Sequence, residues 1–248
     1  MKRFSKLLSV LLSLALTITS FSLTITNTFA KDSLRYFPNC IETKNYITPA
    51  TTKADGKSEN RCTVCDTVVS SSKILRIKDV TLSKTSYTYD GKAKKPSVTV
   101  KDSKGNKINK KYYTVSYSKG RKNVGKYTVT IKFKGKHSGK YTKTYTIKPK
   151  GTSINKLTAK KAAFTVKWKK QSSQTTGYQI QYSTDKNFKK NNKLVTISSN
   201  KTTSKTISNL SSKKKYYVRI RSYKTVKIDG KKEKIYSSWS KAKTVKVK

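Results

Sequence analysis

From Ile74 onward the sequence alternates. Tyr113, Val115 and Tyr117 alternate with Thr114 and Ser116; Tyr127, Val129, Ile131 and Phe133 alternate with Thr128, Thr130, Lys132 and Lys134. The same rhythm returns in Phe164, Val166 and Trp168, in Tyr178, Ile180 and Tyr182 around Gln179 and Gln181, and in Tyr216, Val218 and Ile220 around Tyr217, Arg219 and Arg221. A period of two with one apolar face is what a half-buried strand of an antiparallel sheet requires, and helical spacing is nearly absent. β-branched and aromatic residues dominate these runs, which suits a pleated surface. Turn formers punctuate them at Asp90-Gly91, Lys104-Gly105-Asn106, Lys119-Gly120, Ser138-Gly139 and Asp229-Gly230. Short strands at this spacing predict β-sandwiches.

A break falls at Lys148-Pro149-Lys150-Gly151-Thr152. Proline and glycine stop a strand there and lysine keeps it solvated. The stretches on either side run to roughly 75 and 95 residues, each enough for one sandwich. The expected fold class is all-β: two tandem antiparallel β-sandwiches after a signal peptide and a small cysteine-containing segment. The expected divisions are 1–30, 31–75, 76–149 and 152–248.

The first thirty residues have the pattern of an export signal. Lys2, Arg3 and Lys6 form a basic start, and Leu7 to Ile25 is rich in leucine. Thr28 and Ala30 place small residues three before and one before a cut ahead of Lys31. An uncleaved anchor is the alternative, although seven hydroxyl residues within the apolar stretch weaken insertion. No later segment reaches the length and hydropathy of a membrane-spanning helix, so the mature chain is expected to be secreted and without a span.

All three cysteines, Cys40, Cys62 and Cys65, precede Ser70. Cys62-Thr-Val-Cys65 has the spacing of half a zinc knuckle or of a redox pair. A closed zinc site needs four ligands; Cys40 is a third candidate, and Asp66 would be an improvised fourth. A structural disulfide, a zinc site, and free or intermolecular thiols are the three readings. Ala50-Thr-Thr-Lys-Ala-Asp-Gly56 followed by the C-x-x-C resembles small cysteine knuckles in surface proteins of Gram-positive anaerobes. Those carry cysteine where Thr52 stands and glycine where Asp66 stands.

Residues 152–248 resemble a fibronectin type III domain. Trp168 closes the run Phe-Thr-Val-Lys-Trp, like the family's strand-B tryptophan. Gly177-Tyr-Gln-Ile-Gln-Tyr182 resembles its strand C, and Leu210 followed by Tyr216-Tyr-Val-Arg-Ile220 resembles its leucine and tyrosine-corner strand. Ser212 stands where the family usually has proline. Tyr236-Ser-Ser-Trp-Ser240 and Thr244-Val-Lys-Val247 resemble the last strand and its approach. The resemblance implies that Tyr216 buries its ring and returns its hydroxyl to backbone in the preceding turn. Residues 76–149 resemble a bacterial immunoglobulin-like repeat, through Tyr87-Thr-Tyr-Asp-Gly91, Pro96-Ser-Val-Thr-Val100, Tyr113-Thr-Val-Ser-Tyr117 and Asn123-Val-Gly-Lys-Tyr127. Such modules are mostly spacers or adhesive elements.

No catalytic residue and no cofactor is expected. Eleven acidic residues are scattered along the chain, and His137 is the single histidine, so paired-carboxylate and histidine chemistry lack their parts. His137 reads as a solvated turn residue, and Asp90 and Asp229 as turn formers ahead of glycine. Tyr112, Tyr217 and Tyr223 beside lysines read as packed or edge-strand tyrosines, with stacking on sugars or bases as the functional alternative.

Charge is what remains. The formal net charge is +47, and of 58 basic residues only seven are arginine. Lysine is a hydrated point charge, whereas arginine reads planar partners in a bidentate way. The bias predicts loose, salt-sensitive attraction to polyanions such as cell-wall polymers or acidic glycans, without sequence-specific nucleic-acid reading. The bland alternative is compositional, with lysine serving solubility and blunting sheet edges. The expected function is a non-catalytic exported protein of the surface or wall, adhesive or spacing. The alternative is a secreted binder of extracellular DNA or acidic glycan.

Overall fold

The structure, a computed structural model, describes residues 40–248; the signal peptide expected over 1–30 lies outside the described residues. Two compact units are present. Among the described residues, the smaller takes 40–48 together with Lys57–Ile74, and the larger takes Pro49–Gly56 and Leu75–Lys248.

The smaller unit is a single three-stranded sheet. Strands β1 (Thr43–Thr48), β2 (Gly56–Cys62) and β3 (Val68–Ile74) lie in chain order, with β1 and β2 antiparallel from Thr43↔Cys62 to Thr48↔Lys57. Every residue of β1 is exposed. Glu59 at the middle of β2 is held by Lys57 at 2.8 Å and Arg61 at 2.9 Å. Those two hydrogen-bonded cations keep its carboxyl below the usual carboxylate range.

The larger unit begins with a sandwich of two sheets. One pairs β4 (Ile77–Leu82) with β6 (Val98–Asp102). The other has the order β5 (Ser86–Thr88), β9 (Lys140–Lys148), β8 (Gly125–Phe133), β7 (Tyr113–Tyr117). One pairing departs from the antiparallel expectation: β5 runs parallel to β9, from Ser86↔Thr146 to Thr88↔Lys148. The chain leaves β4 and crosses to the far sheet before it pairs, so it arrives running with β9; Thr146 N–H donates to the Thr85 carbonyl and Tyr89 N–H to the Lys148 carbonyl. Alternation holds on β8, where Val129, Ile131 and Phe133 are buried and Lys126 and Lys132 exposed. They meet Val80 and Val100 of the facing sheet.

The second sandwich follows the same logic. Its smaller sheet orders β10 (Ile154–Lys160), β11 (Ala163–Trp168) and β14 (Ser204–Ile207). Its larger sheet orders β13 (Lys193–Ile197), β12 (Gly177–Ser183), β15 (Lys215–Ile228) and β16 (Lys231–Tyr236), and β17 (Lys243–Lys246) also pairs with β15. Phe164, Val166 and Trp168 face Tyr178, Ile180, Val218 and Ile220 across the core. Burying one such side chain contributes roughly 1.5–3 kcal/mol, whereas an exposed ion pair gives about 0–1 kcal/mol, so the core decides the fold. Asp229 and Gly230 join β15 to β16 with φ of 50° and 80°. Two consecutive left-handed residues are what a two-residue hairpin turn between twisted strands demands. The Tyr216 ring is buried and its hydroxyl accepts the Ser211 N–H at 3.3 Å, as the family resemblance implies.

The two sandwiches touch at the bottom of the second. Lys126 Nζ meets Glu233 Oε2 at 2.6 Å, the Val124 N–H donates to Gln174 Oε1 at 3.2 Å, and the Ser222 hydroxyl donates to the Lys150 carbonyl at 2.6 Å.

Candidate functional site

The cysteines sit where β2 ends. Cys62 is buried, Cys40 half-buried and Cys65 exposed, and all three thiols are free in this structure. The turn is closed by Asp66 N–H donating to the Cys62 carbonyl and Cys62 N–H to the Thr67 carbonyl. Asp66 adopts φ 54°, a left-handed conformation that aspartate tolerates and glycine takes freely. The Cys40 thiol and the backbone N–H groups of Cys65 and Val64 all point hydrogen bonds at the Cys62 sulfur. They bring that thiol down to about 7. The same Cys62 contact pushes the Cys40 thiol up to about 11. Among the described residues, no group of three His, Cys, Asp or Glu side chains is arranged to hold a metal.

His137 differs from its sequence reading. It is buried, 7% exposed, rather than a solvated turn residue. The reason is the segment Pro49–Gly56, which lies against the turn. Ala50 N–H donates to the Lys136 carbonyl, Ser138 N–H donates to the Ala50 carbonyl, and Ala50 is 0% exposed. Tyr112 packs on the imidazole with ring centroids 5.6 Å apart, and Nδ1 has no hydrogen-bond partner among the described residues. Burial pulls the imidazole below its ordinary 6.5; the Leu75 backbone and Asp102 oppose this shift, and Lys136 adds to it. A histidine with a depressed folded pKa gives its full stability above the unfolded value and loses it as pH falls through the folded value. The Cys62 thiol, at about 7, also titrates in this window but in the smaller unit, so the His137 contribution is read as a difference. The urea midpoint falls from about pH 8 to about pH 5, and falls less in His137→Gln than in the wild type. The carboxyls of Asp90, Asp102 and Asp185 also sit below their ordinary 3.8, so their contributions go only at more acidic pH and do not overlap this window.

Three acidic side chains of the larger unit hold turns. Asp102 accepts the N–H groups of Lys104 and Asn106, each at 2.9 Å. Asp185 accepts those of Asn187, Lys189 and Lys190 at 2.7–3.0 Å. Asp90 pairs with Lys94 and accepts the Lys92 N–H. A groove of about 620 Å³ beside β6 is lined by Val98, Val100, Ile108 and Tyr113 with Lys107 and Lys110. That lining offers two cations but no acid to act with them.

The outer face of β12 holds a feature the alternation did not reveal. Gln179 and Gln181 stand opposite Arg221 and Arg219 in the β12–β15 register. Arg221 donates from Nε and Nη2 to Gln179 Oε1 at 2.9 and 2.6 Å, and Arg219 donates from Nε to Gln181 Oε1 at 2.7 Å. Both guanidinium groups stack on Trp239, at 4.9 Å for Arg219 and 4.2 Å for Arg221. Phe188 caps Arg219 at 4.1 Å, and Tyr236 caps Arg221 at 3.8 Å. The two glutamines are consequently buried, at 7% and 8% exposed, where the alternation expected a solvent face. The sequence signal for this stack was Gln-x-Gln on one strand, Arg-x-Arg on its partner, and Tyr-x-x-Trp after them.

The tyrosines divide. Tyr223 is buried and donates to the Ile197 carbonyl at 3.3 Å, so it is a packing residue. Tyr112 and Tyr217 are half-buried, with Lys111 and Lys215 ammonium groups 5.2 and 5.6 Å from their rings.

Residues 147–238 match the family model of the fibronectin type III domain, which stops short of β17. Among solved structures, the chain is similar to the FN1–FN3 domains of chicken CNTN1, at 14% identity, 78% of each chain covered and a TM-score of 0.32. It is also similar to domains A168–A170 from titin, at 14% identity, 82% of each chain covered and a TM-score of 0.29. A two-domain fibronectin type III segment from chicken tenascin gives 16% identity, 83% of this chain and 100% of that one, with a TM-score of 0.34. No curated protein sequence matches.

Proposed function

With a fibronectin type III domain at residues 147–238 as the premise, we propose that the protein is a non-catalytic exported module of the cell surface or wall. Its sandwiches act as spacer or adhesive elements, and its lysines draw it to polyanions. The observation that carries this reading is the use of the polar side chains. Carboxylates cap turns and join elements, as Asp185 caps a loop and Glu233 reaches Lys126, while most lysines of the described residues are exposed on the outward faces. A surface arranged in this way builds a field rather than a reactive pocket. Contacts between the two sandwiches at Lys126–Glu233 and Val124–Gln174 suit a spacer that holds its ends apart.

The lysine excess also favours a second reading, a secreted binder of extracellular DNA or acidic glycan. Both readings expect attraction that falls steeply with salt, because each neutralised charge releases a counterion. Washing cells at low and high salt separates them. A wall-associated protein stays with the cell fraction at low salt and leaves at high salt. A secreted binder is in the medium at both. Recovery from the cytosol overturns both. In solution, affinity for an anionic polymer plotted as log Kd against log salt is expected to be steep, and a slope near zero removes the electrostatic part of the proposal.

A further inference from the structure

The geometry points to one end of the second sandwich, the pole away from the first sandwich, as the surface that grips a phosphodiester polyanion. This inference rests on the reading above and gives it a location.

Backbone hydrogen bonds gather the pole. The Lys213 N–H donates to the Val247 carbonyl and the Val247 N–H to the Lys214 carbonyl, both at 3.0 Å. The Lys248 N–H donates to the Lys160 carbonyl, and the Ala162 N–H to the Lys248 carbonyl, again at 3.0 Å. The β15–β17 register sets Lys215 directly opposite Lys246. Three separate stretches thus converge: the β10–β11 turn, the approach to β15, and the chain after β17. With the strand ends that flank them they carry Lys160 and Lys161, Lys213 to Lys215, Lys246 and Lys248, all exposed. The β12–β13 loop opens at the same end, since Ser183 pairs with Tyr217. It adds exposed Lys186, Lys189 and Lys190.

Among the described residues, no side-chain carboxylate forms an ion pair with these lysines. Asp185 is the acidic side chain of that loop, and both its oxygens are taken by backbone N–H groups. The opposite end is different: its β15–β16 hairpin also carries lysines, but Asp229 and Glu233 are interspersed with them. Like charges gathered within about a Debye length, ~8–10 Å, reinforce one another, while lysines farther away are screened. A local cluster of ten lysines against the single acidic side chain Asp185 therefore sets where a polymer settles, and net charge sets mainly how fast it arrives.

The chemistry of the grip selects the ligand class. Ammonium groups on flexible stems neutralise successive point charges and read no planar edge. A chain of phosphodiesters supplies such charges at regular spacing. Half-buried Tyr217 beside Lys215 lies at the edge of the cluster and offers a face for a sugar.

The test compares two triple variants with the wild-type chain, against poly(glycerol phosphate) and against a single-stranded oligonucleotide of equal charge. Lys213→Gln, Lys214→Gln and Lys215→Gln neutralise the pole. Lys227→Gln, Lys231→Gln and Lys232→Gln remove the same charge from the hairpin at the other end. Urea midpoints equal to wild type confirm that both fold. The expected result is that the pole triple lowers the slope of log Kd against log salt by about two to three for both polymers, while the hairpin triple lowers it by less than half as much. Equal effects of the two triples overturn the inference and leave the general attraction standing. A pole effect confined to one polymer also overturns it, because the phosphodiester would not be what is gripped. Wild-type chain that binds neither polymer brings down the polyanion reading itself.

Discussion

Phe164→Ala will destabilise the larger unit by about 3–5 kcal/mol. Phe164 is 0% exposed on β11 and packs edge-on against Tyr182, with centroids 5.8 Å apart, and at a tilt against Tyr216 at 6.0 Å. Truncation removes the transfer energy of the ring and leaves a cavity. The surrounding strands are tied by registered pairs on both sides of β11, to β10 and to β14, so the walls cannot collapse to fill it. The loss exceeds that of its neighbour by a wide margin. Thr165 points outward and contributes a hydroxyl pair with Thr206 at 2.9 Å, so Thr165→Ala costs about 0.5–1.5 kcal/mol. Urea denaturation of both variants measures the difference. A Phe164→Ala midpoint no lower than that of Thr165→Ala would show that the core does not lie between these sheets.

This prediction was already available from the sequence, because the rule behind it is local. Side chains on a strand alternate, so Phe164, Val166 and Trp168 share a face whatever their partners are. The fibronectin type III resemblance and the observed core agree for the same reason. Turns were legible too, since Asp229-Gly230 can hardly do anything but reverse the chain. His137 was not legible. Its burial comes from Pro49–Gly56, far earlier in the chain, and nothing near Lys136-His137-Ser138 announces that cover. The lysine pole was invisible for a related reason. The abundance of lysine is a matter of composition, but only the strand order brings Lys160, Lys213 and Lys248 to one end. Gln179 and Gln181 show a limit of alternation, which reports which face is apolar. It does not report whether the polar face meets water or a layer of planar cations.

That layer carries the second large effect. Trp239→Ala will destabilise the larger unit by about 2–3 kcal/mol, although the ring is only half-buried. Trp239 lies between two guanidinium groups, and each partly desolvated cation–π contact is worth about 1 kcal/mol or somewhat more. Its removal also bares the stems of Arg219 and Arg221 and the amides beneath them. The loss therefore passes down the stack to Gln179 and Gln181. Burial already presses both guanidinium groups toward the neutral form, which marks them as partly withdrawn from water. Arg221→Lys will cost about 1–2 kcal/mol despite keeping the charge. An ammonium has no planar face to lie between Trp239 and Tyr236, and it cannot present the Nε and Nη2 pair that Gln179 Oε1 accepts. A double-mutant cycle with Trp239→Ala and Arg221→Ala separates stacking from simple burial. A coupling of about 1 kcal/mol or more is expected from urea denaturation of the two single variants and the double. Strict additivity would mean that the rings and guanidinium groups merely lie near one another, and the outer face of β12 would then hold together by area alone.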